Sequence, residues 1–291
     1  MFDVIIVGGG PAGISAGIYA HRAGLSVLVF DAQNSTLKQA KVVNNYYGVE
    51  PISGEDLINR GVSQFKQLGG KIEFCQVVGV KKDFSTNTFI VKTTKGDYES
   101  RAIILATGVE KKKIVKGLEP YEGKNVSSCA VCDGFFYKNK IVAVIGDKDF
   151  AISECEELSK VTSKTFLLTD GENVDCSIKN VEVITKKIKS FSGEDLLDII
   201  SFDDGDKIHI DGCFVALGDL SSSDISKRLG LFMAKNYIVI DKNMMTNVSG
   251  VFACGDVVGG LLQVSKAVSD GAKAGLESAR YIKMLEINEK G

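Results

Sequence analysis

Apolar positions along this chain come in short, dense runs separated by glycine-rich turns and by stretches with helical spacing. Asp3-Val4-Ile5-Ile6-Val7 is a nearly unbroken β-branched run, the pattern of a strand buried on both faces. From Ala12 to Ala23 small and apolar residues suit a helix packed close to that strand, Gly24 supplies a stop, and Ser26 to Phe30 reads as the next strand. Between Lys71 and Thr94 the pattern is strand-like (Ile72-Glu73-Phe74, Val77-Val78, Thr88-Phe89-Ile90-Val91), broken by turn residues at Ser85-Thr86-Asn87. It closes on Ala102-Ile103-Ile104-Leu105-Ala106-Thr107-Gly108. The opening rhythm then returns: Lys140 to Ile145 predicts a strand, Asp149 to Lys160 a helix, and Lys164 to Leu168 another strand. Near the carboxyl end an apolar strand delivers Cys254-Gly255-Asp256 to a helix predicted over Gln263 to Tyr281, with Ala267, Ser269, Gly271 and Ala274 permitting close approach. The fold class is α/β.

Composition adds bounds. The 291 residues, 44% hydrophobic and 25% charged, are enough for two domains that each bury a core. No apolar run approaches the ~18 residues of a membrane span, and Met1-Phe2-Asp3 runs straight into the first strand without a leader pattern. Seven cysteines at irregular spacing fit a reducing cytoplasm better than a secreted disulfide framework. A formal net charge of -2 gives no reason to expect nucleic acid or an anionic membrane as a partner.

Two motifs carry chemistry. The first strand runs into Gly8-Gly9-Gly10-Pro11-Ala12-Gly13, where a first glycine permits a tight turn, a second lets backbone approach a pyrophosphate, and a third lets the helix lie close to the strand. Asp31 follows at the distance where an acid holds a ribose hydroxyl. In this strand-turn-helix-strand-acid setting the motif predicts a bound dinucleotide, which the motif alone does not identify. The second motif is Cys129-Ala130-Val131-Cys132-Asp133-Gly134. Two thiols so spaced can close a small disulfide, and the adjoining acid can move protons as it opens and closes. Structural zinc is the poorer reading, because it takes four ligands while Cys75, Cys155, Cys176, Cys213 and Cys254 are scattered singly and the only histidines are His21 and His209. A pair of inert buried cysteines is the other alternative, and no metal is expected.

These features together, with Asn45-Tyr46-Tyr47-Gly48, Ala106-Thr107-Gly108, Gly250 to Asp256, and Gln263-Val264 ahead of Asp270-Gly271-Ala272, make the chain resemble the low-molecular-weight thioredoxin reductases of the pyridine-nucleotide-disulfide oxidoreductase group. The resemblance spans almost the whole chain. It implies two Rossmann-like, three-layer nucleotide-binding-type domains, the second inserted into the first: 1–113 with 242–291 for FAD, and 114–241 carrying the redox pair. It implies FAD contacts at Gly8, Gly10, Pro11, Ala12 and Gly13, at Asp31, Ala32 and Gln33, at Val77 near the adenine, and at Asn45, Ala106, Thr107, Gly108, Gly255, Asp256, Gln263 and Val264. Leu262 stands where an Arg usually precedes the Gln-Val pair, and the linker before Asn45 is short. The resemblance further implies a Cys129–Cys132 disulfide, with Cys132 toward the flavin, Cys129 attacking thioredoxin and Asp133 exchanging protons, in a cytoplasmic homodimer.

The inserted domain departs from the family. Its turn reads Gly146-Asp147-Lys148-Asp149-Phe150-Ala151, so Lys148 replaces the central glycine and two acids flank it, which opposes a pyrophosphate. Asp170 stands where cations for a 2'-phosphate are expected. The pattern is similar to that of ferredoxin-dependent flavin thioredoxin reductases, with Lys111-Lys112-Lys113 and Lys116 as a basic patch for an acidic donor. The rivals are an NADH- or NADPH-dependent reductase, with Asp170 on a ribose hydroxyl in the NADH case, and a flavin-binding sensor or interaction protein without turnover.

Overall fold

The computed structural model describes residues 1–109 and 115–290. They form two compact units, Met1–Glu110 with Ser221–Gly291 and Lys111–Leu220.

The first unit opens with β1 (Phe2–Val7), α1 (Pro11–Arg22), β2 (Val27–Phe30), α2 (Gly54–Gln67), β3 (Lys71–Glu73), β4 (Val77–Asp83), β5 (Thr88–Thr93) and β6 (Gly96–Leu105). The second unit holds β7 (Val126–Ser127), α3 (Ala130–Asp133), β8 (Ile141–Ile145), α4 (Asp149–Ser159), β9 (Lys164–Leu168), β10 (Val181–Ile184), β11 (Ile188–Ser192), β12 (Ile199–Phe202), β13 (Lys207–His209) and β14 (Gly212–Val215). The chain then returns to the first unit with α5 (Ser222–Leu229), β15 (Met233–Ala234), β16 (Tyr237–Ile238), β17 (Val251–Ala253) and α6 (Val264–Lys290).

In the first unit β3, β2, β1, β6 and β17 run parallel, with β17 pairing the end of β6. The beginning of β6 continues instead into an antiparallel meander through β5 to β4. Alternation sorts the strands' side chains: Val4, Ile6, Val27, Val29, Ala102, Ile104 and Phe252 join one core with residues of α1, α2 and α6. Phe30, on the opposite face, meets Tyr98 edge to face with ring centroids 4.9 Å apart. Each fully buried Ile or Phe contributes about 1.5–3 kcal/mol of transfer free energy, which is why β1 tolerates almost no polar residue. Small residues bring α1 and α6 together, since a Cβ on Gly271 would lie 2.1 Å from the Ala12 carbonyl oxygen.

The second unit repeats the plan. A parallel sheet of order β10-β9-β8-β14-β7 and an antiparallel meander β11-β12-β13 share a core of Ala143, Ile145, Leu168, Leu197, Ile200 and Phe202. The buried Phe150, Ala151, Cys155 and Leu158 of α4 pack on the sheet's strands β8 and β9. Both units are of the Rossmann type.

Some boundaries differ from the pattern. Helix α6 continues past Tyr281, because no glycine or proline stops it. Helix α2 was not expected, although Ser53 accepts the Asp56 amide at 3.0 Å as an N-cap. Residues 221–241, assigned above to the insert, cluster with the first unit: α5 lies on β4, and Asn247 accepts the Phe232 amide at 2.8 Å and donates to the Gly230 carbonyl at 2.9 Å. The expected boundary at 113/114 lies outside the described residues.

Candidate active site

The amino-terminal turn is shaped by close approach. A Cβ on Gly13 would sit 1.8 Å from the Gly8 carbonyl oxygen, so only glycine lets α1 start there. Gly10 is the N-cap of α1, with no side-chain cap, no acid in the first turn and proline at the first helical position. In front of Gly10 there is room, as a Cβ would meet only Ser35 Oγ, at 3.6 Å. The amides of the first turn thus open onto a cleft of about 320 Å³.

Of the residues named from the sequence, Gly8, Gly10, Pro11, Ala12, Asp31, Ala106, Thr107, Gly108, Asp256, Gln263 and Val264 line this cleft. Asn34, Ser35, Leu37 and Leu262 also line it; the first three follow Asp31 in a loop whose sequence carries no motif. Gly13 lies beneath the turn, against Gly8. Asn45 adjoins through its Nδ2, which donates to Gln263 Oε1 at 2.9 Å. Ala32 and Gln33 are exposed on the loop after Asp31, whose Oδ1 accepts the Gln33 amide at 2.8 Å. Val77 is not among the lining residues; it is buried at the start of β4 and paired with Thr93.

Two observations fit this cleft to a dinucleotide. The uncapped helix start offers amides to a pyrophosphate, and the Thr107 hydroxyl is buried without a hydrogen-bond partner among the described residues, a group that a ligand would satisfy. At the far end Lys266 Nζ donates to Asp270 Oδ2 at 2.6 Å and to the Gly255 carbonyl at 3.2 Å. Asp270 Oδ2 also accepts the Gly255 amide at 3.2 Å. This brace holds the turn bearing Asp256, whose carboxyl is pushed up by burial and pulled back by Lys266. Lys266 was not singled out from sequence; its spacing to Asp270, one helical turn, was the available signal.

In the second unit Cys129 and Cys132 form a disulfide with Cα atoms 5.3 Å apart. Cys129 is 2% exposed, whereas Cys132 is exposed. Cys129 is the N-cap of α3, and its Sγ accepts the Cys132 amide at 3.2 Å. Ser127 ties the turn together, donating to Asp133 Oδ2 at 2.6 Å and accepting the Cys129 amide at 3.1 Å. Asp133 does not cap the short helical turn after it. Beneath lies Glu154 of α4, 0% exposed, whose Oε2 accepts the Ala130 amide at 2.7 Å. Close to Cys132 in sequence, Val131, Phe135 and Phe136 stand 50%, 74% and 71% exposed.

The second glycine turn carries Lys148 in the place of the middle glycine, at the N-cap of α4. A Cβ on Gly146 would lie 2.2 Å from the Ala216 carbonyl oxygen, as one on Gly8 would lie 2.3 Å from the Ala106 carbonyl oxygen, so the first glycine is equivalent in the two turns. Lys148 Nζ is 3.0 Å from Asp219 Oδ1, and the lysine is held above its ordinary range by that bond and charge, with Asp147 and Asp149 adding to it. Asp170 Oδ1 accepts the Ile188 amide at 2.7 Å, and Lys187 Nζ donates to the Asp170 carbonyl. Lys111, Lys112 and Lys113 lie outside the described residues; Lys116 is exposed.

Residues 2–271 match the family model described as pyridine nucleotide-disulphide oxidoreductase. The chain is 33% identical to a thioredoxin reductase of Listeria monocytogenes, over 98% of this chain and 95% of that one. Among solved structures it is similar to an atypical thioredoxin reductase from Desulfovibrio vulgaris Hildenborough, with 34% identity, a TM-score of 0.89, and 98% and 99% of the two chains covered. It is also similar to a ferredoxin-flavin thioredoxin reductase from Clostridium acetobutylicum, with 30% identity, a TM-score of 0.72, and 97% and 98% covered. Glycine turn, cleft, disulfide and matched length agree: the chain belongs to the pyridine nucleotide-disulphide oxidoreductase family, among its low-molecular-weight thioredoxin reductases, and is a FAD flavoprotein.

Proposed function

We propose that the chain passes electrons from a one-electron carrier protein, reduced ferredoxin, through FAD and the Cys129–Cys132 disulfide to thioredoxin. The observation that carries the choice of donor is the Lys148–Asp219 pair at 3.0 Å. A nicotinamide dinucleotide needs a glycine at this turn so that its pyrophosphate can approach backbone. Here a side chain stands in that place and is engaged by an acid. Asp170, the candidate for a ribose hydroxyl, spends its Oδ1 on the Ile188 amide. The name of the Clostridium acetobutylicum relative, a ferredoxin-flavin thioredoxin reductase, supports the same donor.

FAD, when bound, supplies a centre that takes electrons singly and gives them in pairs. The chain's own residues do the rest. Gly8, Gly10, Pro11, Ala12 and Gly13 would hold the pyrophosphate, Asp31 the adenosine ribose, and Thr107, Asp256 and Gln263 the remaining length of the cleft. Cys129, once reduced, attacks the thioredoxin disulfide and forms a mixed disulfide; Cys132 then displaces the thioredoxin thiol and restores the Cys129–Cys132 bond. The N-cap position and the Cys132 amide favour the thiolate at Cys129. Asp133, held by Ser127, gives and accepts the proton. Val131, Phe135 and Phe136 offer apolar surface for a protein partner, which a sensor without turnover would not need beside a disulfide. A cytoplasmic homodimer completes the reading, on family likeness.

The test is an anaerobic titration of the yellow protein with reduced ferredoxin, NADPH and NADH. Bleaching of the flavin band by ferredoxin alone is expected; stoichiometric bleaching by NADPH or NADH would restore a pyridine-nucleotide donor.

A further inference from the structure

The start of α6 carries an ion pair that its own helix does not favour. Lys266 is the third residue of α6, and no acid stands in that first turn, although a helix start prefers anions to cations. Asp270 follows one turn later, with Lys266 Nζ donating to its Oδ2 at 2.6 Å. That order, cation before acid, is the weaker one for a pair four residues apart. What the pair grips lies outside the helix. Asp270 Oδ2 accepts the Gly255 amide and Lys266 Nζ donates to the Gly255 carbonyl, each at 3.2 Å. One ion pair thus takes both polar groups of one backbone residue. Gly255 has a φ of +80°, and a Cβ on it would lie 2.7 Å from the Ala12 Cβ, so this residue lies close against the start of α1.

We propose that Lys266 and Asp270 are positioning residues that fix the Gly255–Asp256 turn as one wall of the cleft and thereby set how long FAD stays bound. Asp256 and Ala12 line the cleft, as do Gln263, Val264 and Ala267 at the start of α6, whereas Lys266, Asp270 and Gly255 are not among its lining residues. The pair therefore acts through the turn it holds. Its side chains are only 22% and 17% exposed, so water and salt screen it less than a surface pair. A wall fixed before the ligand arrives spares binding the cost of ordering it. The charges reach the wall as well: burial pushes the Asp256 carboxyl up, Lys266 pulls it back, and Asp270 adds a smaller push. A pair that served only α6 would carry its acid before its cation and would have no need to reach Gly255.

The inference rests on FAD occupying this cleft, and the experiment keeps the two apart. Flavin-loaded protein is diluted and the free flavin in the filtrate is measured over time, with visible circular dichroism reporting the setting of the flavin that remains bound. Lys266→Met keeps the apolar stem, and Asp270→Asn keeps an oxygen for the Gly255 amide without the charge. Each should release FAD about tenfold faster than wild type, the scale of one lost charge-assisted hydrogen bond, with an altered visible dichroism. A single variant that purifies folded but free of flavin is read by its affinity for added FAD, which should be weaker by about the same factor. Because the two residues act as a unit, the double variant should be no faster than the faster single one. Arg280→Met, which removes the Arg280–Glu277 pair from the same helix, should leave release unchanged. A wild-type rate or dichroism in either single variant, additive effects in the double variant, or equal acceleration in Arg280→Met overturns the inference. So does a single variant that far-ultraviolet dichroism shows unfolded with and without added FAD, which would place the pair in the fold alone. Wild-type protein that is folded but never takes up FAD would instead sink the reading of the cleft.

Discussion

Lys148 Nζ stands 3.0 Å from Asp219 Oδ1, at the N-cap of α4 where a dinucleotide-binding turn needs bare backbone. The pair is half exposed, with side-chain exposures of 47% and 20%, and on its own adds little stability. Its consequence is for ligand choice. Lys148→Ala removes the pair but leaves Asp147 and Asp149 beside the turn, so NADPH should still fail to bleach the flavin, and the ferredoxin-driven rate should stay near that of the wild type, since an exposed pair adds only ~0–1 kcal/mol to stability and the variant should fold. Stopped-flow flavin absorbance checks both; recovery of fast NADPH reduction in this variant would show that the lysine alone excluded it.

Gly10 and Gly13 differ in what surrounds them, and the difference separates cofactor loss from misfolding. A Cβ on Gly10 meets only Ser35 Oγ at 3.6 Å, so Gly10→Val should fold and lose its yellow colour as the side chain enters the cleft. A Cβ on Gly13 meets the Gly8 carbonyl at 1.8 Å, so even Gly13→Ala should lower stability of the flavin-free protein by about 1–3 kcal/mol. Absorbance at the flavin band with thermal unfolding followed by circular dichroism reads the two effects separately. Full flavin occupancy in Gly10→Val would remove the turn from the cofactor site.

What could be read from sequence follows from which constraints are local. β1, the glycine turn, α1, β2 and Asp31 lie consecutively, and each residue type there answers to its immediate neighbours. Helix α2 was missed although its Ser53 cap is local, because its exposed face interrupts the apolar rhythm. Residues 221–241 cluster with the first unit, where Arg228 of α5 lies against Gly79 of β4, a contact far away in sequence that no local pattern announces. Glu154 was passed over for a similar reason. In Glu154-Cys155-Glu156-Glu157 it looks like one more charge on a solvated face, and only the packed α3 reveals that this glutamate points inward. Ser127 likewise gains its role solely from the turn it ties to Asp133.

Asp133 is held by Ser127 at 2.6 Å and is not spent on capping, which leaves it available for proton transfer. Asp133→Asn should lower thioredoxin turnover by ~10²-fold, the lower part of the range for a lost general acid–base group, with flavin content unchanged. An insulin-coupled thioredoxin assay measures this. A variant with wild-type turnover would reduce Asp133 to a structural partner of Ser127.

The division of labour between the two sulfurs is the sharpest claim about the exchange, and burial makes it a demanding one. Cys129 is 2% exposed while Cys132 is exposed, so exposure alone would nominate Cys132 as the sulfur that meets thioredoxin. Electrostatics nominates the other, because the Cys129 sulfur is at the N-cap and accepts the Cys132 amide at 3.2 Å, and the thiolate is the nucleophile. If the nucleophile decides, Cys132→Ser leaves the attacking thiol without its resolver, and a mixed disulfide with thioredoxin should accumulate and persist until a reductant is added. Cys129→Ser should give none. Non-reducing electrophoresis with mass spectrometry of the cross-linked peptide distinguishes the cases, using a thioredoxin that lacks its own resolving cysteine so that the bond cannot be undone from the partner's side. Trapping by Cys129→Ser and not by Cys132→Ser would reverse the roles, and would mean that access at this turn outweighs the thiolate stabilisation its helix start supplies.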